Sequence, residues 1–123
     1  MVKAKTTRKM SLTEIGIVHA NEEKMEFSIE IHEKYRPALK ELDKFTHVNV
    51  FWWGNENDNA EKRAITQVKD LPPFYGKDAP TMGIFATRSE YRPNPILLTT
   101  AQIIRIDQKA GIIYINKYTI RII

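Results

Sequence analysis

Residues 82–96 read MGIFATRSEYRPNPI, two apolar segments joined by a connection that contains two prolines. Pro93 and Pro95 fix their own φ angles and push the residues before them, Arg92 and Asn94, toward extended conformations. Because a proline has no N–H to donate to a neighbouring strand, this connection cannot be the middle of a central strand. The sequence therefore predicts a stiff loop between two strands.

The predicted loop holds three polar side chains close together, those of Arg88, Arg92 and Asn94. A stiff loop loses little conformational entropy when a ligand binds, so such a display suits a small polar ligand. The same residues are also compatible with a plain strand connection whose arginines pair with acidic side chains elsewhere. The residues alone leave both interpretations open.

Outward from this loop, the apolar patterning predicts about seven short strands. Alternation of apolar and polar residues indicates strands with one wet face, and apolar residues at successive positions indicate buried strands. The first two strands are expected to form a hairpin, 48–53 is expected to be a central strand, and 96–106 with 112–115 forms a second hairpin. The predicted stretches are 15–18, 27–31, 48–53, 65–69 (weakest), 82–87, 96–106, 112–115 and 118–122.

One segment, 37–45, changes to a helical period. Ala38, Leu39, Leu42 and Phe45 fall on one helical face, and Pro37 suits a first helical turn, where its missing N–H is not needed. We expect one short helix that plugs an end of the sheet. The fold class predicted is mainly β: a single-domain antiparallel β-barrel, closed or partly closed, of about seven strands with one short helix.

Composition limits the class of protein. The chain has 123 residues, 42% hydrophobic and 28% charged, as expected for one globular domain. It has no cysteine, which excludes disulfides, thiolate metal sites and a cysteine nucleophile. No run of about 18 apolar residues is present to cross a membrane, and we expect a cytoplasmic protein. We expect residues 1–12 to be a basic, flexible tail and residues 13–123 to be the barrel domain.

Charge and motifs narrow the function. The net charge of +4 favours polyanionic partners such as RNA. His19, His32 and His47 lack the spacing of a metal site, so no metal is expected. The sequence has neither a Ser-His-Asp signature nor a phosphate-binding glycine loop, which argues against hydrolases and nucleoside triphosphatases.

The stretch 82–96 resembles the signature of the TsaA-like (YaeB/TrmO-type) domain family, approximately Gly-Val-Phe-Ala-Thr-Arg-Ser-Pro-Phe-Arg-Pro-Asn-Pro-Ile-Gly-Leu. The resemblance extends over roughly 13–123 and includes the opening strand at 15–19 and the segment 35–53. It implies a single antiparallel β-barrel that binds S-adenosylmethionine (SAM) and forms a homodimer. It also implies that the substrate is tRNA, methylated at N6 of threonylcarbamoyl-adenosine beside the anticodon.

The resemblance also assigns site residues by their position in the motif. Arg88 and Leu98 would line the cofactor pocket, with the loop after the third strand and the backbone near the C-terminus beside it. Two residues of the matched loop are assigned to the catalytic, substrate side. The expected cofactor-binding residues are Arg88, Leu98, Asn55, Glu56 and Ile120, and the expected catalytic residues are Arg92 and Asn94.

Methyl transfer from a sulfonium to an exocyclic amine is an in-line displacement, so the enzyme has chiefly to position its reactants. The carboxamide oxygen of Asn94, or a backbone carbonyl, would accept the amine proton. Arg88 and Arg92 would bind phosphates or a substrate carboxylate through paired hydrogen bonds. Trp52 or Trp53 would face a cation through its ring, or would simply belong to the core.

Four departures from the family pattern leave a second interpretation open. Leu97 replaces the usual glycine, Asn55 stands where many members have histidine, and the loop at 20–25 is short. The Asp-Gly-Thr-Pro and Lys-Pro-Tyr segments of other members do not occur up to Ile123. The alternative is a divergent, non-catalytic barrel that binds SAM, a nucleoside or RNA.

Overall fold

The computed structural model describes residues 7–21, 23–24, 26–72 and 75–116. Within them the chain forms seven antiparallel strands that make a curled half-barrel, which confirms the predicted fold class. The strands are β1 (Gly16–Asn21), β2 (Glu26–Ile31), β3 (His47–Trp53), β4 (Gln67–Val68), β5 (Met82–Gly83), β6 (Ile96–Asp107) and β7 (Ile112–Ile115).

Five strands form one sheet in the order β1-β2-β7-β6-β3, and β4 pairs with β5 separately. The two predicted hairpins, β1–β2 and β6–β7, are both present. The first part of β6 pairs with β3 and its last part pairs with β7, with an irregularity between Ile103 and Arg105. At this irregularity β6 changes its pairing partner from β3 to β7.

The main core packs one face of this sheet against the segment that contains Leu39. It is made by Ile29 and Ile31 of β2, Ile113 of β7 and Leu39, all buried. The alternating pattern of β2 places its two isoleucines on one face, where they cover Leu39.

The predicted helix at 37–45 is replaced by two 3₁₀ segments, Glu33–Leu39 and Leu42–Lys44. The first begins four residues before Pro37, so the proline lies inside it rather than in its first turn. A proline there removes a helical hydrogen bond and disfavours a regular α-helix. Glu41, at φ 71°, then separates the two segments. A short α-helix that was not predicted, α1, spans Ala60–Arg63.

Two strand predictions differ from the structure in detail. In the described part of the chain β3 pairs with β6 alone, at the edge of the sheet rather than at its centre. The stretch 82–87 is a strand only at Met82–Gly83, and Ile84–Ala86 form a 3₁₀ turn. Ile84 is buried as expected, but Phe85 is 81% exposed. The predicted stretch 118–122 lies outside the described residues.

Candidate functional site

An open cavity of about 310 Å³ lies on the face of the sheet formed by β3 and the first half of β6. Its floor comes from side chains that the strand register places on one face, because Phe51 pairs with Leu98 and residues two apart share a face. The loop between β5 and β6 supplies its polar wall. The lining residues are Phe51, Arg88, Arg92, Ile96, Leu97, Leu98 and Thr100.

Main-chain carbonyls hold the two arginines in the wall. Nη2 of Arg88 donates to the carbonyl of Leu98 at 2.9 Å, and Nη2 of Arg92 donates to the carbonyl of Thr87 at 2.9 Å. Neither arginine has an ion-pair partner among the described residues. The interpretation in which they pair with acidic side chains is therefore wrong for this part of the chain. Each guanidinium has five N–H donors, so both keep donors for an anion.

Hydrogen bonds hold the proline-containing loop at both ends, in addition to the restriction that its prolines impose. The carbonyl of Pro95 accepts from the backbone N–H of Gly54 at 2.7 Å, and Pro95 is fully buried. The hydroxyl of Thr87 donates to the carbonyl of Ile84 and accepts from the backbone N–H of Ser89. These bonds connect both ends of the loop to neighbouring segments, so the arginines project from a rigid support.

Leu97 borders the cavity, yet its side chain is only 3% exposed. It pairs with Trp52, so strand alternation turns its side chain away from Leu98 and the cavity. A Cβ added to Gly54 would lie 3.0 Å from Cδ1 of Leu97, which shows how closely the leucine packs there. Most of its extra bulk relative to glycine is therefore buried against Gly54.

A hydrogen-bonded network beside the cavity was not predicted from the sequence. Arg63, the last residue of α1, donates through Nη2 to Oδ1 of Asn94 at 3.0 Å and through Nε to the carbonyl of Pro93. Its Nη1 donates to Asp58 at 3.0 Å, and Asp58 also accepts from the indole of Trp53 at 3.2 Å. One guanidinium therefore connects α1 to the proline-containing loop.

This network fixes how the Asn94 side chain faces its surroundings. A guanidinium has donors and no acceptor, so the carboxamide oxygen of Asn94 has to point at Arg63. The amide NH₂ group then points elsewhere, and no acceptor for it occurs in the described part of the chain. Asn94 thus presents two donors, while its oxygen is already hydrogen-bonded.

Replacing Arg63 with methionine is expected to lower the free energy of unfolding by about 1–2 kcal/mol, because it removes two hydrogen bonds between α1 and the loop. The ion pair with Asp58 is half-exposed and contributes little of this. Urea denaturation measures the effect. Glu61→Gln on the same helix, a side chain with no hydrogen bond or ion pair among the described residues, is the control, and equal unfolding midpoints for the two variants would contradict the prediction.

The signal that would have found α1 is local. Asn59 caps the helix by accepting from the backbone N–H of Lys62 at 2.8 Å, as asparagine does before a helix. The stretch 54–59 reads as a polar loop because its asparagines suit turns equally well. The contact from Arg63 to Asn94 has no local signal, since 31 residues separate them.

The structure brings together some of the predicted site residues and not others. Arg88, Arg92 and Leu98 line one cavity. Asn94 lies in the adjoining network, and Asn55 and Glu56 form an exposed 3₁₀ turn after β3 that does not line the cavity. Ile120 lies outside the described residues. The roles assigned to these residues stay predictions.

A family model for the N-terminal domain of tRNA-methyltransferase O (TrmO) matches residues 11–120. The chain belongs to this family. TrmO structures share its fold: a crystal structure of TrmO from P. aeruginosa has a TM-score of 0.63 at 15% identity, covering 97% of this chain and 52% of that one. A second TrmO structure has a TM-score of 0.59 at 17% identity and covers 94% and 53%.

Relatives of this TrmO-family domain are named probable S-adenosyl-L-methionine-binding proteins. A probable S-adenosyl-L-methionine-binding protein of Methanocaldococcus jannaschii is 37% identical over 95 residues, 77% of this chain and 71% of the relative. One of the same name from Halobacterium salinarum is 28% identical, over 72% of this chain and 61% of the relative. The chain spans about half the length of the two TrmO structures.

The cavity fits the chemistry of a SAM-like ligand in three respects. Its volume of about 310 Å³ is at the lower end of the range for small-molecule sites. Phe51, Ile96 and Leu98 form an apolar floor suited to a planar base, and Arg88 and Arg92 offer donors suited to a carboxylate. In this TrmO-family domain these residues would hold the cofactor.

Within the described ranges, no group of three or more His, Cys, Asp or Glu side chains is arranged to hold a metal ion. None of the helices described is long and apolar enough to cross a membrane.

Proposed function

We propose that this TrmO-family domain binds SAM in the cavity beside Arg88 and Leu98 and methylates tRNA. The proposed target is N6 of a threonylcarbamoyl-modified adenosine next to the anticodon. The observation that carries the proposal is the pair of arginines in the cavity wall, both held by carbonyls and without acidic partners in the described chain. Family membership and the naming of relatives as SAM-binding proteins support the same cofactor.

The proposed roles of the cavity residues follow from their chemistry. Bound SAM supplies an electrophilic methyl group on a sulfonium. Arg88 and Arg92 bind an anionic group through charge-assisted hydrogen bonds, which are stronger than neutral ones. Phe51 is 72% exposed and offers its ring to a base or to a cation. All of these groups orient reactants, which is the main requirement for this transfer.

For Asn94 we propose a role on the substrate side as a hydrogen-bond donor. Its oxygen accepts from Arg63, so its NH₂ group is the part suited to an acceptor on the modified base. The first expectation, that its oxygen takes up the amine proton, is therefore not the role we favour. The N6 proton then passes to solvent water as the new N–C bond forms and the bond between the methyl carbon and the sulfonium sulfur breaks.

We propose that the working form is a homodimer. The cavity lies open on one sheet face, and Phe51, Trp53 and Ile96 on that face are 72%, 41% and 39% exposed. A contiguous patch of large exposed apolar side chains marks an interaction surface, whereas single scattered ones do not. A second copy would cover them, and a monomeric mass in analytical ultracentrifugation would contradict this proposal.

A second candidate is a non-catalytic barrel that binds SAM, a nucleoside or RNA. It is favoured by Asn55 and Glu56, which form a turn outside the cavity and so leave the site with fewer polar groups than the family resemblance implies. Either function requires the protein to meet tRNA or its nucleosides, for which we propose a cytoplasmic location.

The decisive experiment incubates the full chain with methyl-labelled SAM and tRNA that carries threonylcarbamoyl-adenosine. Label is expected in that tRNA and not in a control transcript that lacks the modification. Absence of transfer together with calorimetric binding of SAM would favour the non-catalytic candidate. Absence of SAM binding at millimolar concentration would overturn the methyltransferase proposal and leave only a second candidate that binds a nucleoside or RNA.

A further inference from the structure

A second depression, of about 500 Å³, lies at the opposite end of β6, where the β6–β7 turn meets the 3₁₀ segment Glu33–Leu39. We call it the hairpin groove. It shares no lining residue with the cavity at Arg88. Its lining residues are Glu33, Arg36, Pro37, Lys40, Gln108 and Lys109.

The backbone holds part of this groove in place. Gly111 has φ 71°, and a Cβ added there would lie 2.5 Å from Nε of Arg36, so the arginine stem lies flat on the glycine. Nε of Arg36 donates to the carbonyl of Ile31 at 3.3 Å. The amide of Gln108 donates to the carbonyl of Leu39 at 3.1 Å and ties the turn to the 3₁₀ segment. The groove is therefore formed before any ligand arrives.

Its charge is positive and unpaired. Arg36, Lys40 and Lys109 contribute three positive charges, and Glu33 contributes one negative charge, which leaves a formal excess of two. None of the three cations forms an ion pair with an acidic side chain in the part of the chain that the structure describes. Lys40 and Lys109 are both exposed. Unpaired cations around a preformed depression favour an anionic ligand.

We propose that the hairpin groove binds the phosphate backbone of the RNA substrate, at a point remote from the reacting base. The identity of the RNA rests on the proposed function, whereas phosphate binding by the groove does not. Leu98 and Gln108 are ten positions apart along β6 and the turn that follows it. At about 3.3 Å per residue the distance between them is up to about 33 Å. A free nucleoside is too small to contact both sites, and a folded RNA is large enough to do so.

The side chains match phosphate better than they match an acidic peptide. The guanidinium of Arg36 is planar and held by backbone, a geometry that suits two oxygens of one phosphate. The lysines are mobile point charges, which suit the evenly repeated charges of a nucleic acid. The overall charge of +4 has the same sign, so it attracts a long polyanion to the protein.

The test compares two double variants of the full chain that remove the same charge. Lys40→Gln with Lys109→Gln removes the groove lysines, and Lys69→Gln with Lys77→Gln removes two exposed lysines elsewhere. Fluorescence anisotropy measures binding of labelled tRNA over a series of KCl concentrations. We expect the groove variant to bind about ten-fold or more weakly at low salt, with its log–log salt slope reduced by roughly two. The control is expected to stay near the unaltered protein.

Three outcomes decide the inference. Equal losses in the two double variants, or tighter binding of polyglutamate than of tRNA by the unaltered protein, would overturn it. A loss confined to the groove variant, with calorimetric affinity for SAM unchanged, supports it. That last result would stand even if no methyl transfer were found, so the groove and the proposed enzymatic function can fail separately.

Discussion

Arg88→Met is expected to bind SAM about 10–100-fold more weakly than the unaltered protein in isothermal titration calorimetry. Methionine keeps much of the stem but loses every N–H donor. A hydrogen bond to a charged group is worth roughly 1.5–3 kcal/mol, which corresponds to this range of affinity. The substitution also leaves the carbonyl of Leu98 without its donor at 2.9 Å, on the floor of the same cavity.

Two comparisons separate this effect from a general loss of charge. Arg105→Met removes an arginine that lies 3.8 Å from the ring of Tyr114 in the later part of β6, and it is expected to leave the affinity for SAM unchanged. Arg88→Lys keeps the charge without the planar fork and should fall between methionine and the unaltered protein. If Arg88→Met and Arg105→Met bound SAM with equal affinity, the cavity would not be the SAM site.

Leu97→Gly, the change that restores the usual residue of the family motif, is expected to lower the free energy of unfolding by about 3–6 kcal/mol. Truncating a buried leucine to alanine costs roughly 2–5 kcal/mol, and glycine within a strand costs roughly 0.5–1 kcal/mol more. The physical reason is that the side chain of Leu97 is 3% exposed and packs at Gly54 and Trp52, away from the cavity. Urea or thermal denaturation measures the loss.

Ile104→Ala on the same strand is the matched control, because Ile104 is 63% exposed. It should change stability by about 0.5 kcal/mol or less. The affinity of folded Leu97→Ala for SAM should match that of the unaltered protein, since its side chain does not enter the cavity. A clear gain in affinity on removal of the leucine would mean that its bulk does obstruct the ligand.

Local patterns predicted much of this fold. The two hairpins could be predicted because apolar alternation and turn residues are properties of neighbouring positions. The stiff loop could be predicted because proline geometry is fixed by the residue itself. Arg88, Arg92 and Leu98 were assigned to neighbouring parts of the site by motif resemblance, and they do line one cavity.

What the sequence did not predict depends on tertiary contacts. The edge position of β3 depends on which strands are available to pair, and its aromatic residues resemble those of a buried strand. The 3₁₀ geometry of Glu33–Leu39 depends on where the segment starts relative to Pro37. The contact between Arg63 and Asn94 joins residues 31 positions apart, and it decided which end of the carboxamide is presented to a ligand.

β6 runs from the cavity at Leu98 to the turn at Gln108 as one continuous strand. Beyond the irregularity that β6 already contains between Ile103 and Arg105, a further inserted or deleted residue would move every following side chain to the opposite face. A length change within β6 would therefore alter the distance between the cavity floor and the groove. It would also turn the two sites toward opposite faces of the sheet. Because the length of β6 fixes the spacing of the two sites, we expect related chains to vary in length in their surface loops and not in this segment.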